Sequence, residues 1–178
     1  MGISQPLKKA KTAMEPTQKE IKVSIADYKL ASSPDKMLTV GLGSCVGTFI
    51  YDERVGIGGL SHIMLPDSKP FVGKGTINPA KFADLALPAM VAELKKGAPS
   101  SNLKAKIVGG ANMFNFNSLS ANGNVGQRNI QAVKEMLQAL QIPLLAEHVG
   151  GKTGRTMIVD LKDFKTMVRL VHSQIVYI

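Results

Sequence analysis

The single cysteine of the chain, Cys45, lies in Val40-Gly41-Leu42-Gly43-Ser44-Cys45-Val46-Gly47, with glycines four and two residues before it and two after. Seventeen residues later the first of three histidines follows, in Gly58-Gly59-Leu60-Ser61-His62-Ile63-Met64-Leu65-Pro66. A free cysteine is most often a small buried hydrophobe. Here the glycines permit a tight bend that leaves the sulfur exposed, and successive N–H groups in such a bend form a nest for an oxyanion. Donors around Gly43, Ser44 and Cys45 would supply it. His62 within reach would take the thiol proton and give a thiolate–imidazolium pair. The base then needs a third group to fix its ring and tautomer. Thr39, six residues before Cys45, offers a hydroxyl; Asn112 and Asn115 offer amides, and spacing alone does not choose among the three.

These groups must be carried by elements that bring them together. Ile21, Val23 and Ile25 alternate with polar residues and predict a first strand ending near Tyr28. Ser32-Ser33-Pro34-Asp35 is a turn, and Met37 to Val40 a short strand leading into the glycine bend. Val46 to Tyr51 is apolar and β-prone, Asp52-Glu53-Arg54 turns, and Val55 to Met64 returns as a strand weakened or bulged at Gly58-Gly59. Cys45 thus precedes one strand and His62 lies late on the next, so an antiparallel hairpin folds them towards each other. Pro66 to Thr76 reads as a loop, mobile through Gly73 and Gly75. Asn78 and Pro79 open a helix running through Lys96, with Phe82, Leu85, Ala86, Ala89, Met90 and Leu94 on one face and a kink expected at Pro88.

Leu103 to Val108 is a strand ending in Gly109-Gly110, and Asn112 to Asn124 an Asn-rich loop turning at Asn122-Gly123. Asn124 caps a second helix, with Gln127 completing a capping-box pattern and Ile130, Val133, Leu137 and Leu140 forming the apolar face. Pro143 to Val149, Arg155 to Val159 and Met167 to Tyr177 predict three more strands. The pattern is a mixed, strand-rich α/β layered sandwich with two main helices, not a regular βαβ series.

Composition bounds the function. A chain of 178 residues suggests one domain, here residues 21–178 behind a flexible basic tail at 1–20. One cysteine cannot form an internal disulfide, which points to a reducing, cytoplasmic setting. No apolar run predicts membrane insertion or a signal peptide, and Pro6 stands where the myristoylation pattern begun by Met1-Gly2 requires Ser or Thr. The net charge of +9 reads either as an acidic partner (nucleic acid, membrane surface or acidic protein) or as plain solubility. Its clusters are short, Lys8-Lys9-Ala10-Lys11 and Lys104-Ala105-Lys106, and the other lysines are scattered. With 5% aromatics and no Trp, stacking platforms for nucleic acid are scarce, so no nucleic-acid partner is expected. Gly150-Gly151-Lys152-Thr153 ends like a phosphate-binding loop, but its first glycine position falls on Ala146 and a strand, not a helix, follows. His62, His148 and His172 share no zinc-like spacing with each other or with Cys45, so no metal is expected, and His148 and His172 read as ordinary strand residues.

The blocks around Cys45 and His62 resemble the chemoreceptor glutamine deamidase family, CheD. Further blocks follow in family order: Phe82-Ala83-Asp84, Val108-Gly109-Gly110-Ala111-Asn112-Met113-Phe114, Gly126-Gln127-Arg128-Asn129, and Gly150-Gly151-Lys152-Thr153-Gly154-Arg155. The resemblance spans about residues 21–160; Lys165 and Glu147-His148 depart from it. It implies the α/β sandwich of glutamine-deamidating bacterial toxins and a Cys-His-Thr catalytic set at Cys45, His62 and Thr39. It further implies hydrolysis of receptor glutamine side chains to glutamate through a thioester, with Gly43 and Ser44 at the oxyanion turn and no cofactor. The implied partners are methyl-accepting chemotaxis receptors as substrate and a CheC-type phosphatase. A monomer is expected.

Overall fold

A computed structural model of the protein describes residues 17–113 and 124–178. Most of the expected tail, residues 1–16, and the Asn-rich segment 114–123, with Asn115 and the Asn122-Gly123 turn, lie outside the described residues. The described chain forms, in order, strands β1 (Glu20–Lys22), β2 (Tyr28–Ser32), β3 (Lys36–Leu42), β4 (Val46–Asp52) and β5 (Ile57–Ile63), then helix α1 (Ala83–Gly97). Strand β6 (Lys104–Gly109), helix α2 (Val125–Ala139) and strands β7 (Leu144–Val149), β8 (Arg155–Asp160), β9 (Lys165–Leu170) and β10 (Ile175–Tyr177) follow.

The strands make two five-stranded sheets, ordered β1-β3-β8-β9-β10 and β2-β5-β4-β6-β7. The second sheet lies in the middle. Val46, Ile50, Ile63 and Ile107 on one of its faces pack against Ala86, Leu87 and Met90 of α1 and Ile130, Val133 and Leu137 of α2. Phe49, Tyr51, Leu60 and Val108 on its other face pack against Met37, Met157, Val159 and Val168 of the first sheet. Strand β4 is therefore buried along its whole length, which is why Val46 to Tyr51 is nearly continuous in apolar and β-branched residues. The mixed α/β layered architecture expected from the sequence is the one observed; its parallel pairs among the described residues are β1–β3, joined through β2 of the other sheet, and β6–β7, joined through α2.

Local differences have physical causes. The expected first strand is two strands in different sheets, because the chain turns at Ile25 and Ala26, the latter at φ +56. Gln18 and Lys19, expected in the tail, are tied to the first sheet: the Gln18 side chain donates to the Pro34 carbonyl and the Lys19 carbonyl accepts from Lys36 N–H. Gly58 and Gly59 make no bulge, since β5 keeps unbroken register with both neighbours. They are small because a Cβ would stand 2.6 Å from the Phe49 ring at Gly58 and 2.9 Å from Leu30 and Met90 at Gly59. Asn78 caps a short 3-10 turn, Pro79–Lys81, and α1 proper begins at Ala83. It runs unbroken through Pro88 and buries Ala83, Ala86, Leu87, Met90, Val91 and Leu94, a face rotated from the expected one; Leu85 and Ala89 are only half-buried. Asn124 caps α2 as expected, its Oδ1 accepting from Gln127 N–H at 3.0 Å. The last expected strand is the hairpin β9–β10, broken at His172 and Ser173, both at positive φ.

Candidate active site

The chain passes from the outer sheet to the middle one through Gly43-Ser44-Cys45, the connection between β3 and β4. Two residues on β3 face inwards out of normal alternation. Thr39 pairs with Met157 and Leu42 with Arg155, so one extra residue is inserted between them. This bulge is made by Gly41 at φ +74, a conformation that disfavours a side chain. It leaves Val40 and Gly41 exposed and returns Leu42 to the core just before the crossover.

Four hydrogen bonds fix the crossover, and a fifth ties it to the chain after β5. Gly43 N–H donates to the Gly41 carbonyl at 3.0 Å. The Gly43 carbonyl accepts from Ala111 N–H at 2.7 Å and the Cys45 carbonyl from Gly110 N–H at 2.8 Å. The Ser44 carbonyl accepts from Asn129 Nδ2 at 2.9 Å, and the same nitrogen reaches the Met64 carbonyl at 3.0 Å. Gly109 and Gly126 permit this closeness. A Cβ would lie 2.2 Å from the Cys45 carbonyl oxygen at Gly109 and 2.5 Å from the Gly110 carbonyl oxygen at Gly126, and backbone has little room to yield. A second tier holds the Gly110-Ala111 segment: Asn112 N–H donates to the Gly151 carbonyl and Gly150 N–H to the Gly109 carbonyl. Arg155, buried, binds the carbonyls of His148, Gly150 and Thr153 and so braces that turn. The Gly150–Thr153 stretch is followed by strand β8, so it lacks the helix that a phosphate-binding loop requires.

The hairpin expected from sequence sets Gly47 opposite His62, placing Cys45 two residues beyond on the same face. That face looks into the space between the sheets, where Thr39 projects from β3. Thr39 Oγ1 lies 2.7 Å from His62 Nδ1 and donates its one proton to the Val23 carbonyl at 2.9 Å. The hydroxyl must therefore accept from His62, which puts the ring proton on Nδ1 and the lone pair on Nε2. Nε2 is buried and has no hydrogen-bond partner among the described residues. Gly47 makes room for this contact, since a Cβ there would meet Leu42 and Met157 at 3.0 Å and Thr39 at 3.4 Å. Of the alternatives to Thr39, Asn112 is exposed on the loop beside Gly151, and Asn115 lies outside the described residues.

Burial acts on both members of the pair in the same sense. It pushes the Cys45 thiol above its ordinary range, opposed by the residue's own N–H, and holds His62 down at about 4. Both shifts favour the neutral thiol and the neutral imidazole, and no hydrogen bond joins Sγ to Nε2 in this arrangement. Cys45 is half-buried at the edge of the inter-sheet core. Among the described residues neither Ser44 N–H nor Cys45 N–H donates a hydrogen bond to backbone, whereas Gly43 N–H is committed to Gly41. Beside the crossover an open groove of about 370 Å³ is lined by Gly41, Gly43, Met113, Gly154, Arg169 and Val171. His148 is engaged with Arg155, and His172 sits in the β9–β10 turn. Among the described residues no group of three His, Cys, Asp or Glu is placed to hold a metal ion, and no helix is long and apolar enough to cross a membrane.

Sequence reasoning named Thr39, Cys45 and His62 as candidates, and the structure brings Thr39 and His62 together, but it missed the residues that hold their surroundings. Asn129 read only as part of a helix start, and Gly47 only as a turn glycine. Their periodic signal existed, in that Asn129 falls on the buried α2 face with Gly126, Ile130 and Val133.

The family model for CheD chemotactic sensory transduction matches residues 64–170. A probable chemoreceptor glutamine deamidase CheD of Clostridium botulinum (strain Eklund 17B / Type B) is 52% identical over 158 residues, covering 88% of this chain and 96% of that protein. A probable chemoreceptor glutamine deamidase CheD from the Hall strain of the same species is 55% identical over 154 residues, covering 86% and 94%. A matched span of 158 residues in a chain of 178 takes in Thr39, Cys45 and His62, which the family-model match does not reach. The chain belongs to the CheD family.

Proposed function

We propose that this protein hydrolyses the side-chain amide of glutamine in chemotaxis receptors, releasing ammonia and leaving glutamate. The observation that carries this reading is the Thr39–His62 hydrogen bond, which leaves a buried Nε2 lone pair next to the crossover that holds Cys45. The names of the relatives supply the substrate class.

In the proposed reaction Nε2 takes the thiol proton as Sγ attacks the amide carbon. The oxyanion accepts from the N–H groups of Ser44 and Cys45, the two at the crossover without a backbone acceptor among the described residues. Gly43 contributes room at the mouth of the groove and, through its carbonyl, the orientation of the next peptide. The imidazolium is a strong acid because burial disfavours its charge. It gives its proton to the amide nitrogen as the C–N bond breaks and ammonia leaves. Water, deprotonated by Nε2, then attacks the thioester. The carboxylate departs as the C–S bond breaks, and Sγ regains its proton from His62. Thr39 accepts from Nδ1–H throughout and holds the ring in one tautomer.

In this proposal the open groove, lined by Gly41 and by Gly43 of the crossover but not by Cys45 or His62, receives the receptor surface beside the thiol. Its basic flank, Arg169, and the net charge of +9 favour an acidic receptor surface. In the same proposal a CheC-type phosphatase is a regulatory partner, and a cytoplasmic monomer is the acting form.

The test is to incubate receptor cytoplasmic fragments with the protein and with Cys45→Ala, and to read individual glutamines by mass spectrometry. The amide-to-acid mass gain should appear at particular glutamines with the wild type only, with every peptide bond intact. Cleaved fragments would indicate a protease. Unaltered glutamines together with tight phosphatase binding would indicate a purely regulatory module.

A further inference from the structure

Asn129 lies on α2, outside the Thr39–His62–Cys45 set, yet it is completely buried and its amide nitrogen bridges two carbonyls of the site. One is Ser44, in the crossover; the other is Met64, just beyond the strand that carries His62. In a trans peptide the C=O and the following N–H point in opposite directions. Holding the Ser44 carbonyl towards α2 therefore aims Cys45 N–H away from it. Cys45 N–H also acts on the thiol, where it opposes the effect of burial. The Ala111 N–H bond to the Gly43 carbonyl sets the direction of Ser44 N–H in the same way.

We infer that Asn129 is a positioning residue that orients the Cys45 N–H as an oxyanion donor and locks the nucleophile turn to the histidine strand. This rests on the proposed amide hydrolysis for its catalytic meaning, but the orientation of Cys45 N–H also governs the thiol itself. Asn129 has no contact with substrate; its effect passes through the Ser44–Cys45 peptide.

Two variants read it. Asn129→Ala removes the bridging donor. Asn129→Asp keeps the shape and carries the test where the alanine variant loses its fold. When ionised the aspartate offers no donor to two carbonyls; when protonated it regains one. With receptor fragments, kcat should fall about 10- to 100-fold in both, a substantial part of what loss of one oxyanion donor costs, with KM within about twofold. The deficit of Asn129→Asp should grow as pH rises through the carboxyl's ionisation, while that of Asn129→Ala stays level. A wild-type kcat in a folded variant, or a loss confined to KM, overturns the assignment. Iodoacetamide alkylation of Cys45 separates this from failure of the underlying reaction. Wild-type protein that deamidates nothing would remove the proposed reaction, and the clamp is then judged on alkylation alone. An upward shift of its pH midpoint in the folded variants supports the clamp; an unshifted midpoint overturns it.

Discussion

Thr39 has one proton and two neighbours, and the carbonyl of Val23 can only accept. That asymmetry determines the His62 tautomer without any charged partner. Thr39→Val removes the acceptor for Nδ1–H and leaves the Val23 carbonyl unpaired. It should lower kcat about 10- to 100-fold and stability by about 1–3 kcal/mol, with Thr39→Ser recovering most of both, as read by ammonia release and thermal melts. Burial of His62 also makes stability depend on pH. Its ionisation is held at about 4 in the folded chain against an ordinary 6.5, so the unfolded chain binds more protons between those values. The contribution is fully present above about 6.5 and is lost as pH falls through about 4, a change of about 3 kcal/mol at most. Denaturant titrations from pH 7 to 4 should show this loss in the wild type and a flatter profile in His62→Gln.

At the scale of elements, the site depends on how close α2 comes to the Gly110-Ala111 backbone. Gly126→Ala places a Cβ 2.5–2.6 Å from two carbonyl oxygens. It should cost about 1–3 kcal/mol in a chemical melt and reduce turnover, because Ala111 N–H and Asn129 would shift together. The pairing of Gly47 with His62, which sets His62 across the hairpin two residues from Cys45 in register, was legible in the sequence because hairpin register follows from strand alternation and a short turn. Thr39 was one of three candidates by position, and only resemblance to the family chose it, since its contact with His62 crosses between two separate sheets. Gly58-Gly59 misled because nothing local shows that Phe49, Leu30 and Met90 lie over them. The division of the first strand between two sheets was hidden for the same reason: Ile21, Val23 and Ile25 keep a strand-like alternation across the point where the chain changes sheet, leaving Ile25 58% exposed.

At the scale of the whole molecule, a net charge of +9 and a groove flanked by Arg169 predict that receptor engagement is screened by salt. KM for receptor fragments should rise several-fold between about 0.05 and about 0.5 M salt with kcat nearly constant, and a salt-independent KM would remove the electrostatic account. The three-layer build has one more consequence. Thr39 belongs to the outer sheet and His62 to the middle sheet, so their hydrogen bond exists only while the two sheets are closed on each other. A nascent or partly melted copy in which the sheets have separated carries a thiol but no oriented base. If the proposed mechanism holds, turnover requires the two sheets to be docked on each other, and sheet separation should abolish it together with the Thr39–His62 bond.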